Sequence, residues 1–383
     1  MVRKCLIFAA MRYYIIAGEA SGDLHGGNLI KEIKQLDTDA SIRCWGGDRM
    51  QQAGAELVKH YRDLAFMGFI EVLRNLRTIL ENLKFCKEDI LRFKPDTLIL
   101  IDYPGFNLRI AEWAREQNIK VIYYISPQVW AWKENRVKKM KVNIDKMLVI
   151  LPFEKEYYKN KWNWEVEYVG HPLVEVVEKQ QQLAANIQLN IESGGKPIIA
   201  LLPGSRKQEI LKKLPVMLEV SKHFQDYHFV VAQAPGQENS FYHSLLQPFT
   251  NVSSVRDQTY ALLMQSTAAL VTSGTATLET ALFGVPEVVC YKGSNISYQI
   301  AKRLVKVKYI SLVNLIMDRL VVKELIQNDL TVEKLSYELN ELLINEEKKQ
   351  QLKSDYKALK ELLKQGGQAS AKAAKSIVDF LKA

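Results

Sequence analysis

The chain has 383 residues, 48% of them hydrophobic, and a formal net charge of +9. This length predicts two globular domains, and the charge favours an anionic partner such as nucleic acid, a phosphorylated metabolite or an anionic membrane surface. The four cysteines lie far apart without a CxxC pair, which argues against a disulfide framework or zinc site and fits a reducing cytoplasm.

The first ten residues, MVRKCLIFAA, combine a basic start with an apolar patch that is too short for a signal sequence. We interpret them as an extension, with Met11 as the predicted start. No run in the chain approaches the ~18 apolar residues of a membrane span. Any membrane contact is therefore expected from one side only.

Short apolar runs alternate with helical patterns between residues 12 and 151, which predicts a doubly wound α/β domain. β-branched and aromatic residues within these runs favour buried parallel strands over helices. The predicted strands are residues 12–17, 41–46, 97–102, 120–125 and 146–151.

A second alternating series follows the turn at residues 192–197, and its strands include PIIALL, FVVAQ, AALVT and PEVVCY. The predicted domains are residues 1–172 and 173–350, with C-terminal helices over 351–383 that cross back to the first domain or to a partner chain. Two open α/β sheets that face each other bind ligands in a cleft beside the carboxyl ends of their strands.

The stretch IIAGEASGDLHGGNLI, residues 15–30, predicts a strand followed by a glycine-rich loop. Its glycines suggest a dinucleotide phosphate loop, but GxGxxG is absent. Glu19, Ser21 and Asp23 place acids and a hydroxyl where a pyrophosphate prefers bare amides. His25 in the same stretch is either a structural histidine, hydrogen-bonded within the loop, or an auxiliary base.

Apolar residues at helical spacing predict a core-facing helix over residues 64–85. The run Leu64 to Ile70 is apolar throughout and includes Met67 and Phe69. It is interpreted either as buried core or as a rim that contacts acyl chains or a membrane.

Asp102 ends an otherwise buried strand. Partial desolvation there would raise its pKa toward the range of a general base. The alternative is a carboxylate that caps the next helix or pairs with an arginine.

Trp130 and Trp132 precede a segment, residues 133–146, with a net charge of +4. This combination suits single-stranded nucleic acid or an anionic lipid surface. The alternative is that the tryptophans pack against a solvated helix, which explains the same pattern of aromatic and basic residues equally well.

Two turns of the second half favour phosphate binding. Residues 272–275 precede a helix whose N-terminal amides suit a phosphate, and Glu279 one turn later would reach ribose hydroxyls. In LLPGSR, Gly204 permits a tight turn, Ser205 caps the next helix, and Arg206 would bind a diphosphate. The alternatives are a structural helix cap and a solvated arginine.

Taken together, these motifs resemble the lipid A disaccharide synthases. The resemblance covers nearly the whole chain, in the order of that family. The motifs are AGEASGD (17–23), GG and RMQQAG (46–54), MGFIEVL (67–73), ISPQVWAWKENRV (125–137), LPFEKEYY (151–158), VGHPL (169–173), LLPGSR (201–206), SGTATLE (273–279) and AKRLVKVKYISLVNLI (301–316).

The resemblance implies a glycosyltransferase of the GT-B type with two Rossmann-like domains, the nucleotide on the second and the acceptor mainly on the first. It implies transfer from UDP-2,3-diacylglucosamine to 2,3-diacylglucosamine 1-phosphate with inversion and release of UDP. It also implies a peripheral enzyme at the inner face of the cytoplasmic membrane, without cofactor, metal or nucleic acid. The family's oligomers imply a monomer or a homodimer with exchanged C-terminal parts.

The same resemblance assigns roles to single residues. Asp102 matches the candidate general base, and Glu19 and Ser21 match the reaction centre. The acceptor or membrane candidates, which come from the apolar run and the two tryptophans described above, are Met67, Phe69, Ile70, Trp130 and Trp132. The residues expected to hold UDP are Arg206, Ser205, Ser273, Gly274, Thr275, Glu279, Asn314 and, more weakly, Tyr291 after its strand.

Two positions depart from the family's pattern. Gly105 stands where many members have a second acid, and Asp48 stands where many have proline. The first departure removes any sharing of a proton with Asp102. Related GT-B enzymes that act on other UDP-sugars share the UDP turn but lack GEASGD and SPQVWAWK.

Overall fold

The computed structural model describes residues 10–64, 76–183, 189, 191–294, 298 and 307–383. The acceptor or membrane candidates Met67, Phe69 and Ile70 lie outside the described residues. The chain divides into two compact units. Unit 1 comprises Met1–Pro172 with Lys364–Ala383, and unit 2 comprises Leu173–Leu363.

Unit 1 is built on a seven-stranded parallel sheet whose order is β3-β2-β1-β4-β5-β6-β7. The central strand over residues 97–101 is buried along its whole length, and the strands on either side of it are buried except at their first residue, as expected for a sheet covered on both faces. The strands are β1 (Arg12–Ala17), β2 (Ser41–Gly46), β3 (Glu56–His60), β4 (Thr97–Ile101), β5 (Lys120–Tyr124), β6 (Lys146–Val149) and β7 (Glu167–Tyr168).

Helices connect these strands, and the core beneath them contains the buried aromatics Tyr14, Trp45, Phe106 and Tyr123. A 3₁₀ turn covers Tyr61–Leu64. The described helices of unit 1 are α1 (Ala20–Leu36), α2 (Asp48–Gln52), α3 (Leu76–Phe93), α4 (Pro104–Glu116), α5 (Arg136–Asn143), α6 (Pro152–Trp162) and α15 (Ala369–Lys382).

Unit 2 repeats the plan with a six-stranded parallel sheet of order β10-β9-β8-β11-β12-β13. The strands are β8 (Ile198–Leu202), β9 (His228–Gln233), β10 (Val252–Arg256), β11 (Ser266–Thr272), β12 (Glu287–Tyr291) and β13 (Lys323–Ile326). The described helices are α7 (Pro172–Leu183), α8 (Lys207–Ser221), α9 (Asn239–Leu246), α10 (Thr259–Gln265), α11 (Thr275–Leu282), α12 (Leu312–Met317), α13 (Val332–Ile344) and α14 (Glu346–Lys364).

The predicted α/β class with two doubly wound parallel sheets is confirmed. The strands predicted at residues 12–17 and 41–46 have those bounds. Four strands were not predicted, namely β3, β7, β10 and β13, and each forms an edge of its sheet. Edge strands pack on one neighbour only, so their sequences lack the long apolar runs of central strands.

Residues 65–75 of the helix predicted over residues 64–85 lie outside the described residues. The described helix α3 begins at Leu76 and continues to Phe93. Leu80, which was predicted to face the core, has 56% of its surface exposed, whereas Cys86 and Ile90 near the other end are fully buried. The core-facing stripe therefore lies further along the chain than the apolar pattern indicates.

The last helix, α15, packs against α1 within unit 1. A side chain on Gly366 would lie 2.2 Å from the Gly170 backbone, so the two glycines permit the chain to cross there. The Lys372 ammonium donates to the Tyr168 carbonyl at 2.8 Å, and the Ser376 hydroxyl donates to Glu167. Helix α14 belongs to unit 2, so the segment returning to unit 1 begins at Lys364.

Candidate active site

The strand order of unit 1 reverses between β1 and β4, which are neighbours in the sheet. Ligands of open α/β sheets bind beside the carboxyl ends of strands at such a switch point. Glu19 lies two residues after β1, and Asp102 directly follows β4. The topology therefore brings these two predicted residues to the same position on the sheet edge.

Asp102 occupies a strained turn. Asp102 and Tyr103 have φ values of 43° and 47°, both in the left-handed region, which costs a non-glycine residue on the order of 1–3 kcal/mol. Buried Asn107 donates to the Asp102 carbonyl at 2.8 Å, and the Tyr123 hydroxyl donates to the same oxygen. These contacts hold the turn and fix the direction of the Asp102 side chain.

Burial raises the pKa of Asp102 to about 7, and the negative charge of Glu19 adds to the rise. Both effects disfavour the ionised carboxyl. Among the described residues no salt bridge joins Asp102 to an arginine, and a hydrogen bond from the Tyr103 backbone opposes only part of the rise in the pKa. The raised pKa and the lack of an arginine partner thus favour the general-base interpretation over pairing with an arginine.

The Tyr103 ring covers the turn after β1. A side chain on Gly18 would lie 2.3 Å from the Tyr103 ring, so only glycine allows this approach. The ring also stacks on Phe106, with centroids 5.5 Å apart. Gly18 in the GEASGD motif therefore serves the packing of Tyr103 beside Asp102.

The glycine-rich stretch is not a loop, because α1 begins at Ala20 and contains Ser21, Asp23 and His25. Ser21 lies in the first turn of this helix and is half-buried. The Asp23 carboxylate is buried and accepts hydrogen bonds from the backbone amides of Gly47, Arg49 and Met50 at 2.7–3.1 Å. Asp23 therefore caps α2, which corrects its predicted role among the acids of a ligand loop.

His25 is also structural. It is 6% exposed, and its Nδ1 has no hydrogen-bond partner among the described residues. Burial lowers the pKa of His25 to about 4, so the ring is neutral at neutral pH. The predicted hydrogen bond within a loop is therefore wrong, and the buried ring does not fit an auxiliary base.

Glu154, which the sequence analysis overlooked, is a second perturbed acid near Asp102. It is 1% exposed, and burial raises its pKa to about 7, with a smaller contribution from the Asp102 charge. Its carboxylate accepts from the Leu151 amide at 3.0 Å and from the Trp130 indole at 3.1 Å. The available signal was an acid five residues after the end of β6, within the LPFEKEYY motif.

Trp130 is therefore directed inward. Its ring packs edge-to-face on Phe153 at 5.0 Å in addition to the hydrogen bond with Glu154. Trp132 is 44% exposed. Of the two tryptophans predicted to contact acceptor or membrane, only Trp132 presents a large surface to solvent.

Unit 2 has its own switch point, between β8 and β11. The predicted phosphate turns at residues 203–206 and 272–275 follow these two strands and are therefore adjacent. Gly274 has a φ of 149° and is the N-cap of α11. Thr275 is the first residue of that helix, and the Ser273 hydroxyl donates to the Ile310 carbonyl at 2.8 Å.

Lys213, also overlooked, lies between these turns. It is 3% exposed, and its ammonium donates to the Thr272 hydroxyl and lies 3.8 Å from the Glu209 carboxylate. Burial lowers the pKa of Lys213; the charge of Glu209 opposes this shift, and the charge of Arg206 adds to it to a smaller extent. Arg206 is the N-cap of α8 and is 3.3 Å from Glu209. Two cations thus meet at the predicted diphosphate position, beside Ser205 and the N-terminus of α11.

Glu279 lies in the middle of α11, and Tyr291 ends the neighbouring strand β12. Glu279 is half-buried and accepts from the Tyr260 hydroxyl at 2.9 Å, and burial raises its pKa. Tyr291 ends β12, and burial, reinforced by the charge of Glu209, raises its pKa. Tyr291 is therefore close to the turn that holds Arg206.

The predicted nucleotide contact of Asn314 needs correction. Asn314 is fully buried, and its amide donates to the Val322 carbonyl and Glu324 and accepts from the Val321 and Val322 amides at 2.8–2.9 Å. All of its polar capacity is used inside the unit. Asn314 therefore connects α12 to β13 instead of offering its side chain to a ligand.

No three His, Cys, Asp or Glu side chains in the described part of the chain come together as a metal site. Among the helices with described residues, none is long and apolar enough to span a bilayer.

Comparison with known proteins gives close sequence relatives. Residues 13–378 match the family model of lipid-A-disaccharide synthetase. A lipid-A-disaccharide synthase of Trichlorobacter lovleyi is 39% identical over 87% of this chain and 88% of its own length. The enzyme of the same name from Geobacter sulfurreducens is 37% identical over 93% and 94%.

Solved structures share the fold at low identity. The UDP-GlcNAc 2-epimerase of Neisseria meningitidis, bound to UDP-GlcNAc, is 15% identical with a TM-score of 0.64, over 97% of this chain and all of its own. The glycotransferase of kitacinnamycin is also 15% identical, with a TM-score of 0.66 over 97% and 99%. These likenesses agree with two Rossmann-like units of the GT-B type.

Proposed function

Because the chain belongs to the lipid-A-disaccharide synthetase family, we propose that it joins UDP-2,3-diacylglucosamine to 2,3-diacylglucosamine 1-phosphate. The products are the β(1→6) disaccharide 1-phosphate and UDP. The observation that carries the proposal is the half-buried Asp102 carboxylate of raised pKa, held in a strained turn at the switch point of unit 1. The cationic turn at the switch point of unit 2 supports it.

Asp102 takes the proton from the acceptor 6-hydroxyl as that oxygen attacks the donor anomeric carbon. The bond from this carbon to the UDP oxygen breaks in the same displacement, so the configuration inverts and UDP carries away the electron pair. Lys213, Arg206 and the amides at the start of α11 stabilise the diphosphate as it gains charge. No step in this proposal uses a cofactor or a metal ion.

The proposed acceptor and donor carry acyl chains, so we propose that the protein works peripherally at the inner face of the cytoplasmic membrane. Trp132, exposed beside the basic residues of α5, suits contact with such a surface. We propose no nucleic-acid partner, because Trp130 is engaged by Glu154 and Phe153. The contacts of α15 within unit 1 support a monomer, and an exchanged homodimer stays the alternative prediction.

Incubation with both lipid sugars in neutral detergent tests this function. We expect one UDP released for each tetraacyl disaccharide 1-phosphate formed, measured by coupled UDP assay and mass spectrometry. A UDP-sugar 2-epimerase of similar fold would change the donor sugar without any acceptor. UDP release that does not depend on the acceptor lipid would contradict the proposal.

The acidic limb of the pH–rate profile should reflect the ionisation of Asp102. Because burial and Glu19 raise the pKa of Asp102 to about 7, kcat/KM should fall as pH drops through about 7, the base being active only when deprotonated. Glu19→Gln removes the neighbouring negative charge, so the limb should move to lower pH. An unmoved limb in this variant would assign it to another group, such as Glu154, rather than to Asp102.

A further inference from the structure

A cavity of about 220 Å³ lies between α4 and α5 in unit 1. Pro104 and Gly105, which line it, directly follow the Asp102–Tyr103 turn. A side chain on Gly105 would meet no atom within 4 Å, so this end of the cavity is open. The cavity therefore begins next to the candidate base.

Two guanidinium groups line this cavity, those of Arg109 and Arg136. Burial lowers the pKa of Arg136, and the charge of Arg109 lowers it further, so the two groups are close together. Neither forms a salt bridge within the described ranges, whereas Lys139 and Glu112, which also line the cavity, pair with each other at 2.7 Å. The site thus holds two uncompensated positive charges.

Two neighbouring arginines without a carboxylate repel each other unless an anion lies between them. The planar guanidinium donates two parallel hydrogen bonds to a phosphate, which makes a pair of arginines a phosphate site by geometry as well as by charge. Leu108 and Met140 form an apolar wall of the cavity beside the two arginines. A phosphate attached to an amphipathic molecule suits this combination.

Tyr123 links the cavity to the Asp102 turn. The Tyr123 hydroxyl donates to the Asp102 carbonyl and is close enough to Arg136 to influence its protonation. In a pyranose, C5 with its hydroxymethyl group and C1 flank the ring oxygen. A sugar whose 6-hydroxyl meets Asp102 therefore places a substituent on C1 within one ring of that carboxylate.

We propose that Arg109 and Arg136 bind the anomeric phosphate of the acceptor and thereby select an acceptor that carries this group. The inference rests on the proposed function and adds the specificity of the acceptor site. The phosphate of a membrane lipid headgroup is the other phosphate group that could bind here. It would contact the same two arginines without affecting the choice of acceptor.

The test measures kcat/KM for 2,3-diacylglucosamine 1-phosphate and for 2,3-diacylglucosamine without phosphate, in neutral detergent. The ratio of the two values should fall at least tenfold in the Arg109→Gln/Arg136→Gln double variant. A matched control is Lys138→Gln, an exposed position of α5 outside the cavity lining, which should keep the wild-type ratio. Damage to the fold alone would lower both rates and leave the ratio unchanged.

Sedimentation with vesicles of phosphatidylcholine and phosphatidylglycerol separates the two sources of phosphate. Weaker vesicle binding of the double variant with an unchanged acceptor ratio would overturn the proposal in favour of a headgroup site. A wild-type protein that releases no UDP with either acceptor would instead contradict the proposed function. An unchanged ratio in an active double variant, with unchanged vesicle binding, would overturn the phosphate site alone.

Discussion

Replacing Asp102 with asparagine should lower kcat by about 10²–10⁴-fold, the usual contribution of a general base. Asparagine has nearly the same shape, so the contacts of Asn107 and Tyr123 with the Asp102 backbone carbonyl remain. It cannot accept the proton of the acceptor hydroxyl. Steady-state rates of UDP release with both lipid sugars measure the effect.

Binding and folding controls separate chemistry from structure in this variant. The Kd of UDP should match that of wild type, because the nucleotide is assigned to unit 2. Thermal unfolding should not shift to lower temperature, since burying an ionisable carboxyl disfavours the folded state rather than stabilising it. Turnover within threefold of wild type would remove Asp102 from the role of base.

Lys213→Gln should weaken UDP binding by roughly tenfold to a hundredfold, since a hydrogen bond to a charged group contributes about 1.5–3 kcal/mol. The buried ammonium lies between Thr272 and Glu209, and a diphosphate there would offset the cost of its burial. Calorimetry with UDP and with uridine measures the effect of the phosphates separately. In Lys213→Gln the Kd of UDP should rise relative to the Kd of uridine, because only UDP carries the phosphates.

Lys212→Gln is the matched control, because this neighbouring lysine lies on the same helix and is less buried. It should bind UDP as wild type does. Equal weakening of UDP and uridine by Lys213→Gln would indicate a structural lysine and contradict the phosphate assignment. Arg206 lies 3.3 Å from Glu209. We therefore expect the Glu209 carboxylate to keep a cationic partner when Lys213 is replaced by glutamine.

The two switch points explain why residues distant in the sequence form candidate sites. In each unit the strands on either side of the reversal send their connections to opposite faces, and the loop ends leave a crevice at the sheet edge. Glu19 and Asp102 lie at one such edge, and the turns containing Arg206 and Gly274 lie at the other. A ligand at each edge contacts residues from two strands at once.

Much of the site was predictable where the signal was local. A small-residue turn after an apolar strand gave residues 272–275, and an acid at the end of a buried strand gave Asp102. The motif order indicated the family. These features depend on neighbours within a few residues, so they are present in the sequence before folding.

Other assignments required the tertiary structure. Lys213 and Glu154 read as ordinary members of amphipathic helices, and only packing makes their side chains 3% and 1% exposed. Asn314 looked available until its four hydrogen bonds inside unit 2 were located. Pairing of Arg109 with Arg136 depends on α4 and α5 lying side by side.

The sequence by itself determined the doubly wound fold class, the buried central strands and the polar residues that directly follow them. Central strands are buried on both faces, so their composition is constrained residue by residue. The tertiary structure alone decided the edge strands β3, β7, β10 and β13 and the partners of the buried polar groups. Burial and charge around a side chain come from elements far away in the chain, and no local pattern records them.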